Sequence, residues 1–220
     1  ADWMYCLART AKTEKKQAGI SFILLNLKQS NIDIKPIKLL SGQSPFCQVF
    51  FDDVVAKESH RIAKENEGWK VAKRLLEFER TMMADLGSEG AVDIEPIKTY
   101  KNSEALNAPG QTKLHKKIIE HEMRNHLIDL TMGRTAIESK SGFSSAALSL
   151  KYISTEETQT RWELNVASLG AGGLEIVEKS QGPKQEIAKS FFYSKAYTIA
   201  GGSSEVQLNI IAKHILGLPS

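Results

Sequence analysis

The pattern of apolar residues changes at Gly68, and this change limits the chain to folds in which strands precede helices. Before Gly68, four short runs rich in β-branched and aromatic residues are separated by loops containing lysine, glycine or proline. After it, apolar residues recur at helical spacing over long segments. We therefore predict an α+β, mainly α fold: a truncated antiparallel β module over residues 1–66, then an up-down, four-helix-bundle-like domain over residues 67–220.

The same pattern gives the bounds of the individual elements. The predicted strands cover residues 3–8, 20–25, 32–37 and 48–54. The predicted helices cover residues 68–90 with a less regular continuation to 102, 111–140, 144–168, 185–199 and 203–216. An apolar stripe along the helix 111–140 is typical of bundle packing, and it comprises Leu114, Ile118, Met123, Leu127, Leu130 and Ile137. The histidines of that helix, His115, His121 and His126, are given no role.

The helix that begins at Gly68 carries one carboxylate on its apolar side. At roughly 100° per residue, Glu79 lies near the middle of an apolar arc, whereas Glu77 lies on the polar side. A carboxylate in that position is either paired with a cation or a helix cap, which is the commoner case, or it serves as a base whose pKa is raised by burial. Helical phase leaves both alternatives open. The arc also contains Val71, Ala72, Leu75, Leu76, Phe78, Met82, Met83 and Leu86.

Composition narrows the classes of protein that fit. The 220 residues are 41% hydrophobic and 25% charged, with a net charge of +3 that is spread along the chain, which argues against a nucleic-acid partner. No apolar stretch reaches the roughly 18–20 residues of a membrane span, and no signal peptide is visible, so we expect a cytoplasmic location. The chain begins at Ala1 directly on a strand pattern, from which we expect a truncated or processed product.

Four segments match, in order, motifs of one known family. Residues 199–212 read I-A-G-G-S-S-E-V-Q-L-N-I-I-A, close to the signature I-Y-G-G-T-S-E-I-Q-x-N-I-I-A of acyl-CoA dehydrogenases. Residues 1–10 resemble that family's strand ending in A-R-T or A-R-S, and residues 48–54 resemble its strand E-V-F-F-D-D-V. Residues 65–72 and 78–81 resemble its E-N-x-G-W-x-V-A and F-E-R-T motifs. The chain is thus similar to the end of the family's middle β domain and to its C-terminal helical domain.

The resemblance implies an oxidoreductase of fatty acid and lipid metabolism that dehydrogenates an acyl-CoA thioester between its α and β carbons with FAD. A carboxylate removes the α proton, hydride passes to the flavin, and an electron-transferring flavoprotein is the expected electron partner. The family's base stands in one of two places. Gly201 occupies the first and cannot serve, and Glu79 occupies the second, directly before Arg80. The resemblance therefore implies that Glu79 is the base.

Other residues receive roles from the same motifs. Phe78, Arg80 and the Gly201 amide would contact the acyl-CoA. For Arg80 the alternative is a surface salt bridge with Glu77 or Asp85, and for Ser203 it is capping of the last helix. The cofactor-binding positions would be Gly170, Ala171, Gly202, Ser203 and Glu205.

The chain departs from the family pattern in the flavin loop. Ala167 and Ala171 stand where the family has glutamine and its second glycine, and residues 100–106 lack the usual arginine and Phe-Gly. In the family such losses occur in mixed pairs of subunits. A non-catalytic subunit or helical assembly module is therefore the alternative function, in a homo- or hetero-oligomer. Without the strand that packs on the flavin ring, we expect these 220 residues alone to be inactive.

Overall fold

The computed structural model describes residues 1–86, 94–103, 111–140, 144–175 and 182–219, with the backbone alone for residues 77, 80–86, 111 and 183. Its contacts divide the chain into two compact units. The first comprises residues 1–38 and 43–79, and the second comprises residues 39–42 and 80–220. Antiparallel strands followed by helices confirm the predicted fold class.

The strands of the first unit form two antiparallel sheets, with the order β1-β2-β5 in one and the pair β3-β4 in the other. Along β1, half-buried and exposed side chains alternate, as expected for a strand with one face on a core. The Tyr5 ring of β1 stacks on the buried Phe22 ring of β2. The strands are β1 (Trp3–Arg9), β2 (Ile20–Asn26), β3 (Ile32–Ile37), β4 (Phe46–Phe51) and β5 (Arg61–Ile62).

Strands β1 and β2 each extend one residue beyond their predicted ends, and two other strands differ more from the sequence prediction. The predicted strand 48–54 lies instead at Phe46–Phe51, because Asp53 adopts a left-handed backbone with φ of 46° that ends the extended run. The two-residue strand β5 was not predicted. It is too short to show a period of two, and it is a strand only because it pairs with β2, with Ile62 opposite Phe22 and Arg61 opposite Ile23.

The helices follow the predicted order, with ends fixed by local signals. Pro96 and Pro183 occupy first-turn positions, where proline is tolerated because its missing N–H has no helical partner. The predicted stretch 185–199 therefore begins two residues earlier, and its helix ends at Ser194. The helices are α1 (Gly68–Leu86), α2 (Pro96–Lys101), α3 (Gln111–Glu138), α4 (Ala147–Leu169), α5 (Pro183–Ser194) and α6 (Ser204–His214).

Helix α4 lies at the centre of the second unit and contacts α2, α3, α5 and α6. Trp162 packs with Ile94 and Ile187 in one apolar cluster, and Leu164 packs with Tyr100 and Ile118 in another. A helix that is buried on several sides has no single polar face, so α4 also buries polar side chains. Most of these hydroxyl and amide groups bond to carbonyls one turn earlier in α4 itself, as in Thr155 to Lys151, Asn165 to Arg161 and Ser168 to Leu164.

A buried polar cluster joins α3 to α4 and was not predicted. The His121 ring is 1% exposed, and its Nδ1 lies 2.5 Å from a carboxylate oxygen of Glu157. Its Nε2 lies 2.9 Å from the Asn125 amide, and the Arg124 guanidinium lies 3.0 Å from the other Glu157 oxygen. Because buried polar groups are costly when unpaired, this mutual pairing fixes the two helices relative to each other.

The apolar stripe predicted for bundle packing on α3 is buried only in part. Ile118 is fully buried and Leu114 packs against its cluster. Met123, Leu127, Leu130 and Ile137 are instead 57–71% exposed, so the packing prediction was wrong for these four. Among the described residues, no helix is long and apolar enough to cross a membrane.

We predict that Gly68→Ala destabilises the first unit. A β carbon at position 68 would lie 2.3 Å from the Phe22 backbone nitrogen, so α1 or β2 would have to move. Such overpacking costs about 1–3 kcal/mol, measurable as a lower free energy of unfolding in urea followed by circular dichroism.

Gly133→Ala is the matched control. Gly133 lies within α3, and a β carbon there would meet nothing within 4 Å. Alanine should therefore raise the free energy of unfolding by about 0.5–1 kcal/mol through helix propensity. Equal effects of the two substitutions would contradict the close approach of α1 to β2.

Candidate functional site

The loop between α5 and α6 places two glycines in a backbone conformation that other residues rarely adopt. Gly201 has a φ of 67° and Gly202 a φ of 100°. A β carbon on Gly202 would also lie 2.7 Å from the Gln207 amide nitrogen. Position 202 therefore requires glycine for two reasons, its positive φ and the proximity of Gln207.

Two buried side chains hold the carbonyls of these glycines. The Lys151 ammonium of α4 donates a hydrogen bond of 2.7 Å to the Gly202 carbonyl, and the Gln207 amide of α6 donates one of 3.1 Å to the Gly201 carbonyl. Among the described residues, no carbonyl accepts a hydrogen bond from the Gly201 or Gly202 amide. The loop thus has two carbonyls held by side chains, while its two N–H groups have no backbone acceptor among the described residues.

Burial lowers the pKa of the Lys151 ammonium below its ordinary value of 10.5, against the opposing attraction of the Glu156 carboxylate. Glu156 itself accepts a hydrogen bond from the Ser204 hydroxyl at the start of α6. Helix α4 therefore supports this loop through two neighbouring charged side chains, one cationic and one anionic.

The residues that follow the glycines begin α6. The Ser203 hydroxyl accepts a hydrogen bond from the Val206 backbone N–H, so Ser203 is the helix cap. Glu205 lies in the first turn and is exposed. Hydrogen bonds from its own backbone N–H and from Ser203 hold the pKa of the Glu205 carboxyl below its ordinary value.

Gly170 and Ala171 lie at the other end of α4. Gly170 ends that helix with a φ of 58°, and its N–H bonds to the Ala167 carbonyl. A 3-10 turn, Gly170–Leu174, follows. Because Lys151 and Gly170 are separated by about 28 Å along the helix axis, the structure does not bring Gly170 and Ala171 next to Gly201 and Gly202.

Helix α1 carries the remaining predicted residues. The Glu79 side chain is partly buried and continues a row formed by buried Ala72 and partly buried Leu75 and Leu76. Phe78 is 59% exposed, and its ring lies 4.5 Å from the Arg74 guanidinium. Phe78 was expected on the apolar arc, but it lies at the edge of that arc, about 100° from Glu79. The Arg80 side chain lies outside the described residues.

The sequence analysis did not identify Lys151 or Gln207. Both donate hydrogen bonds to the loop that contains Gly201 and Gly202, which we call the glycine loop. Gln207 belongs to the tail motif, so the motif was a signal for its importance. Lys151 had only a weak signal, a single cation between Leu150 and Tyr152 in a helix with little amphipathic character.

Comparisons with known proteins match one family model and several relatives. A family model described as acyl-CoA dehydrogenase, C-terminal domain, matches residues 66–216. The acyl-CoA dehydrogenase IpdE1 of Mycolicibacterium smegmatis is 28% identical over the whole chain, which aligns with 54% of that protein. The chain thus spans about half the length of the curated relatives it matches.

Two solved structures share the fold. One is titled Tcur3481-Tcur3483 steroid ACAD, with a TM-score of 0.83 and 21% identity. The other is the ChsE4-ChsE5 complex from Mycobacterium tuberculosis, with a TM-score of 0.75 and 19% identity. All of the chain is covered in both, against 57% and 58% of the respective solved chains.

We predict that Lys151→Met loosens the glycine loop. The variant removes the donor to the Gly202 carbonyl, and an unpaired buried carbonyl costs about 1–3 kcal/mol. Expected results are a lower free energy of unfolding and faster amide hydrogen exchange at residues 201–204. Lys213→Met, an exposed lysine of α6, should change stability by less than about 0.5 kcal/mol and leave exchange in the loop unaltered.

The difference between wild type and Lys151→Met should also depend on pH. Because the folded-state pKa of Lys151 is below 10.5, the unfolded chain binds this proton more tightly. Wild type therefore gains stability relative to the variant as pH rises from the folded-state pKa towards 10.5. Urea unfolding at several pH values measures this, and a difference that shrinks with rising pH would contradict the burial of a charged Lys151.

Proposed function

The chain belongs to the acyl-CoA dehydrogenase family, and from that premise we propose that it supplies the base and part of the binding site for FAD-dependent α,β-dehydrogenation of an acyl-CoA thioester. The observation that carries the proposal is Glu79, a partly buried carboxylate directly before Arg80. Residues 67–220 then form the C-terminal helical domain, and residues 1–66 belong to the family's middle β domain.

Glu79 takes the α proton. A base must lie within hydrogen-bond reach of the proton that it removes. Glu79 lies beside a row formed by Ala72, Leu75 and Leu76, and these apolar neighbours keep one side of the carboxylate away from water.

The Gly201 amide stabilises the charge that forms on the thioester oxygen when the α proton leaves. Lys151 and Gln207 fix the adjoining carbonyls, so the N–H groups of the loop are oriented before substrate arrives. Preoriented donors stabilise developing charge without reorganisation, which makes such donors among the most effective catalytic groups. The resemblance to the family also assigns Phe78 and Arg80 to acyl-CoA binding.

FAD, when bound, provides the acceptor for the β hydride. Backbone N–H groups in the glycine loop fit an oxygen-rich cofactor, and on this basis Gly202, Ser203 and Glu205 are assigned to one part of it. Gly170 and Ala171, at the other end of α4, would meet a different part of the cofactor or another cofactor molecule. The electron partner we propose is an electron-transferring flavoprotein.

The alternative function is a non-catalytic subunit or assembly module of an acyl-CoA dehydrogenase oligomer. Its specific support is that Ala167 lacks the side-chain amide of the glutamine in the family pattern, and that Ala171 adds a β carbon where the pattern has glycine. Two structural neighbours carry titles that name two proteins each, Tcur3481-Tcur3483 and ChsE4-ChsE5. An assembly in which a second subunit completes the flavin site fits both observations.

We predict that Glu79→Gln in the complete gene product lowers the rate of flavin reduction by acyl-CoA by about 10²-fold or more, since the amide cannot accept the proton. Stopped-flow absorbance of the flavin under single turnover measures this step directly. Binding of an acyl-CoA should change far less, because the amide is nearly isosteric with the carboxylate.

Glu77→Gln is the matched control, since position 77 is about 200° from Glu79 around the same helix. The flavin-reduction rate of Glu77→Gln should stay within about threefold of the wild-type rate. This change is much smaller than the decrease expected when a general base is removed. A Glu79→Gln protein that binds flavin and reduces it at a rate within that range would contradict the assignment.

We predict further that the 220-residue chain alone purifies without flavin, whereas the complete gene product, with its natural partner, binds FAD. The absorbance of flavin released on denaturation, divided by the protein concentration, gives the flavin content of each preparation. Stoichiometric FAD in the 220-residue chain would contradict the first expectation. A complete complex that stays colourless and inactive after FAD is added would favour the assembly function.

A further inference from the structure

Lys151 places a buried positive charge against the glycine loop, where a neutral side chain would be enough to hold the backbone. The residue is 4% exposed, and its ammonium donates a hydrogen bond of 2.7 Å to the Gly202 carbonyl. On the preceding peptide, the neutral Gln207 amide makes the corresponding bond to the Gly201 carbonyl. Burying an ammonium costs more free energy than burying an amide, because the charge loses its hydration. Holding the loop therefore does not by itself explain a cation at position 151.

The hydrogen bond from Lys151 also acts on the other end of the same peptide group. The Gly202 carbonyl and the Ser203 N–H belong to one peptide group, so a cation at the oxygen strengthens the N–H as a donor. Hydrogen bonds with a charged partner are roughly twice as strong as neutral ones, so Gln207 has a weaker effect on the Gly202 N–H. Among the described residues, no backbone carbonyl accepts a hydrogen bond from the Ser203 N–H. The donor that the lysine charge strengthens is thus not used by the backbone of the described chain.

Helix α4 also contains the charge that offsets the burial of Lys151. The Glu156 carboxylate attracts the ammonium and opposes the lowering of its pKa by burial. The same carboxylate accepts a hydrogen bond from the Ser204 hydroxyl, which keeps it beside the loop. Glu156 therefore favours the charged form of Lys151 next to the Gly202 carbonyl.

We propose that Lys151 is a positioning residue whose positive charge strengthens the Ser203 N–H as a donor to an oxygen that gains negative charge during the reaction. This inference rests on the proposed function, in which the glycine loop contacts the acyl-CoA and the flavin. Lys151 acts through the peptide between Gly202 and Ser203, and not by contact with either molecule. Because the acceptor gains its charge only as the reaction proceeds, the lysine should raise the rate of flavin reduction more than the affinity for acyl-CoA.

The pH dependence of flavin reduction separates the charge of Lys151 from its hydrogen bond. A deprotonated lysine amine can still donate to the Gly202 carbonyl, but it carries no charge. In the complete gene product with its natural partner, the single-turnover rate should fall about tenfold as pH rises through the folded-state pKa of Lys151, which burial places below 10.5. Over the same range, the hydrogen-exchange protection of residues 201–204 should change by less than about threefold.

The variant Lys151→Met removes both the charge and the hydrogen bond. Its rate of flavin reduction should be about tenfold below wild type at neutral pH, and it should lack the alkaline fall that wild type shows. The Kd for acyl-CoA should stay within about threefold of the wild-type value. Circular dichroism at each pH confirms that the protein is folded, and rates are taken per bound flavin.

Lys195→Gln is the matched control for the loss of a lysine charge. Lys195 pairs with Glu163 of α4 and makes no hydrogen bond to the Gly202 carbonyl. This variant should keep the wild-type rate and the wild-type pH profile. An equal loss in Lys195→Gln and Lys151→Met would overturn the proposal, because the effect would then not depend on the peptide that Lys151 contacts.

Other titratable groups near the loop remain in Lys151→Met, so the comparison with wild type separates them from the lysine. They are Glu156, Glu205, Tyr193 and Tyr197. An alkaline fall that wild type and Lys151→Met share would belong to these groups and would overturn the proposal. A fall in the wild-type rate that is matched by lost exchange protection would overturn it too, since the lysine would then only hold the loop.

Failure of this inference can be told apart from failure of the proposed function. A slow Glu79→Gln together with a wild-type rate in Lys151→Met would overturn the role of Lys151 alone. A complex whose flavin is not reduced by any acyl-CoA at any pH would overturn the proposed function and this inference together.

Discussion

The burial of α4 on several sides is the constraint on which the second unit depends. Trp162 and Leu164 anchor two apolar clusters, so α2, α3 and α5 pack against α4. A central helix must also satisfy its polar groups without water, and Thr155, Asn165 and Ser168 do so by bonding to the helix itself. The two parts of the candidate site in this unit are consequently attached to one rigid element.

The loop that contains Gly201 and Gly202 is held by this central helix and by α6. Lys151 bonds to the Gly202 carbonyl, while Gln207 bonds to the Gly201 carbonyl from α6. A loop held only by its chain neighbours would sample many conformations, each with a different direction for its N–H groups. Two buried donors from different helices restrict the conformations of the loop, and the proposed role of its N–H groups depends on that restriction.

The sequence predicted elements well where a signal is local. Strand β3 (Ile32–Ile37) matches its predicted bounds, and α1 begins at Gly68 as predicted. The sequence prediction failed where the structure of a segment depends on residues that are distant in the chain. Strand β5 forms by pairing with β2, and the contact of His121 with Glu157 joins two helices. Among the described residues, the apolar stripe of α3 is covered only around Ile118. Helical period shows which residues share a face, but it does not show what covers that face.

The sequence by itself determined the order of strands and helices and the family, and it led to the proposal of Glu79 as the base. Periodicity and motifs can be read from the sequence because they involve residues that are close together in the chain. The tertiary structure decided the surroundings of those residues. It brought the side chains of Lys151 and Gln207 into hydrogen bonds with the Gly202 and Gly201 carbonyls. It also placed Gly170 and Gly202 near opposite ends of α4. It also left Met123, Leu127 and Leu130 of α3 exposed. Burial and hydrogen bonding between distant residues depend on packing, which a linear pattern does not contain.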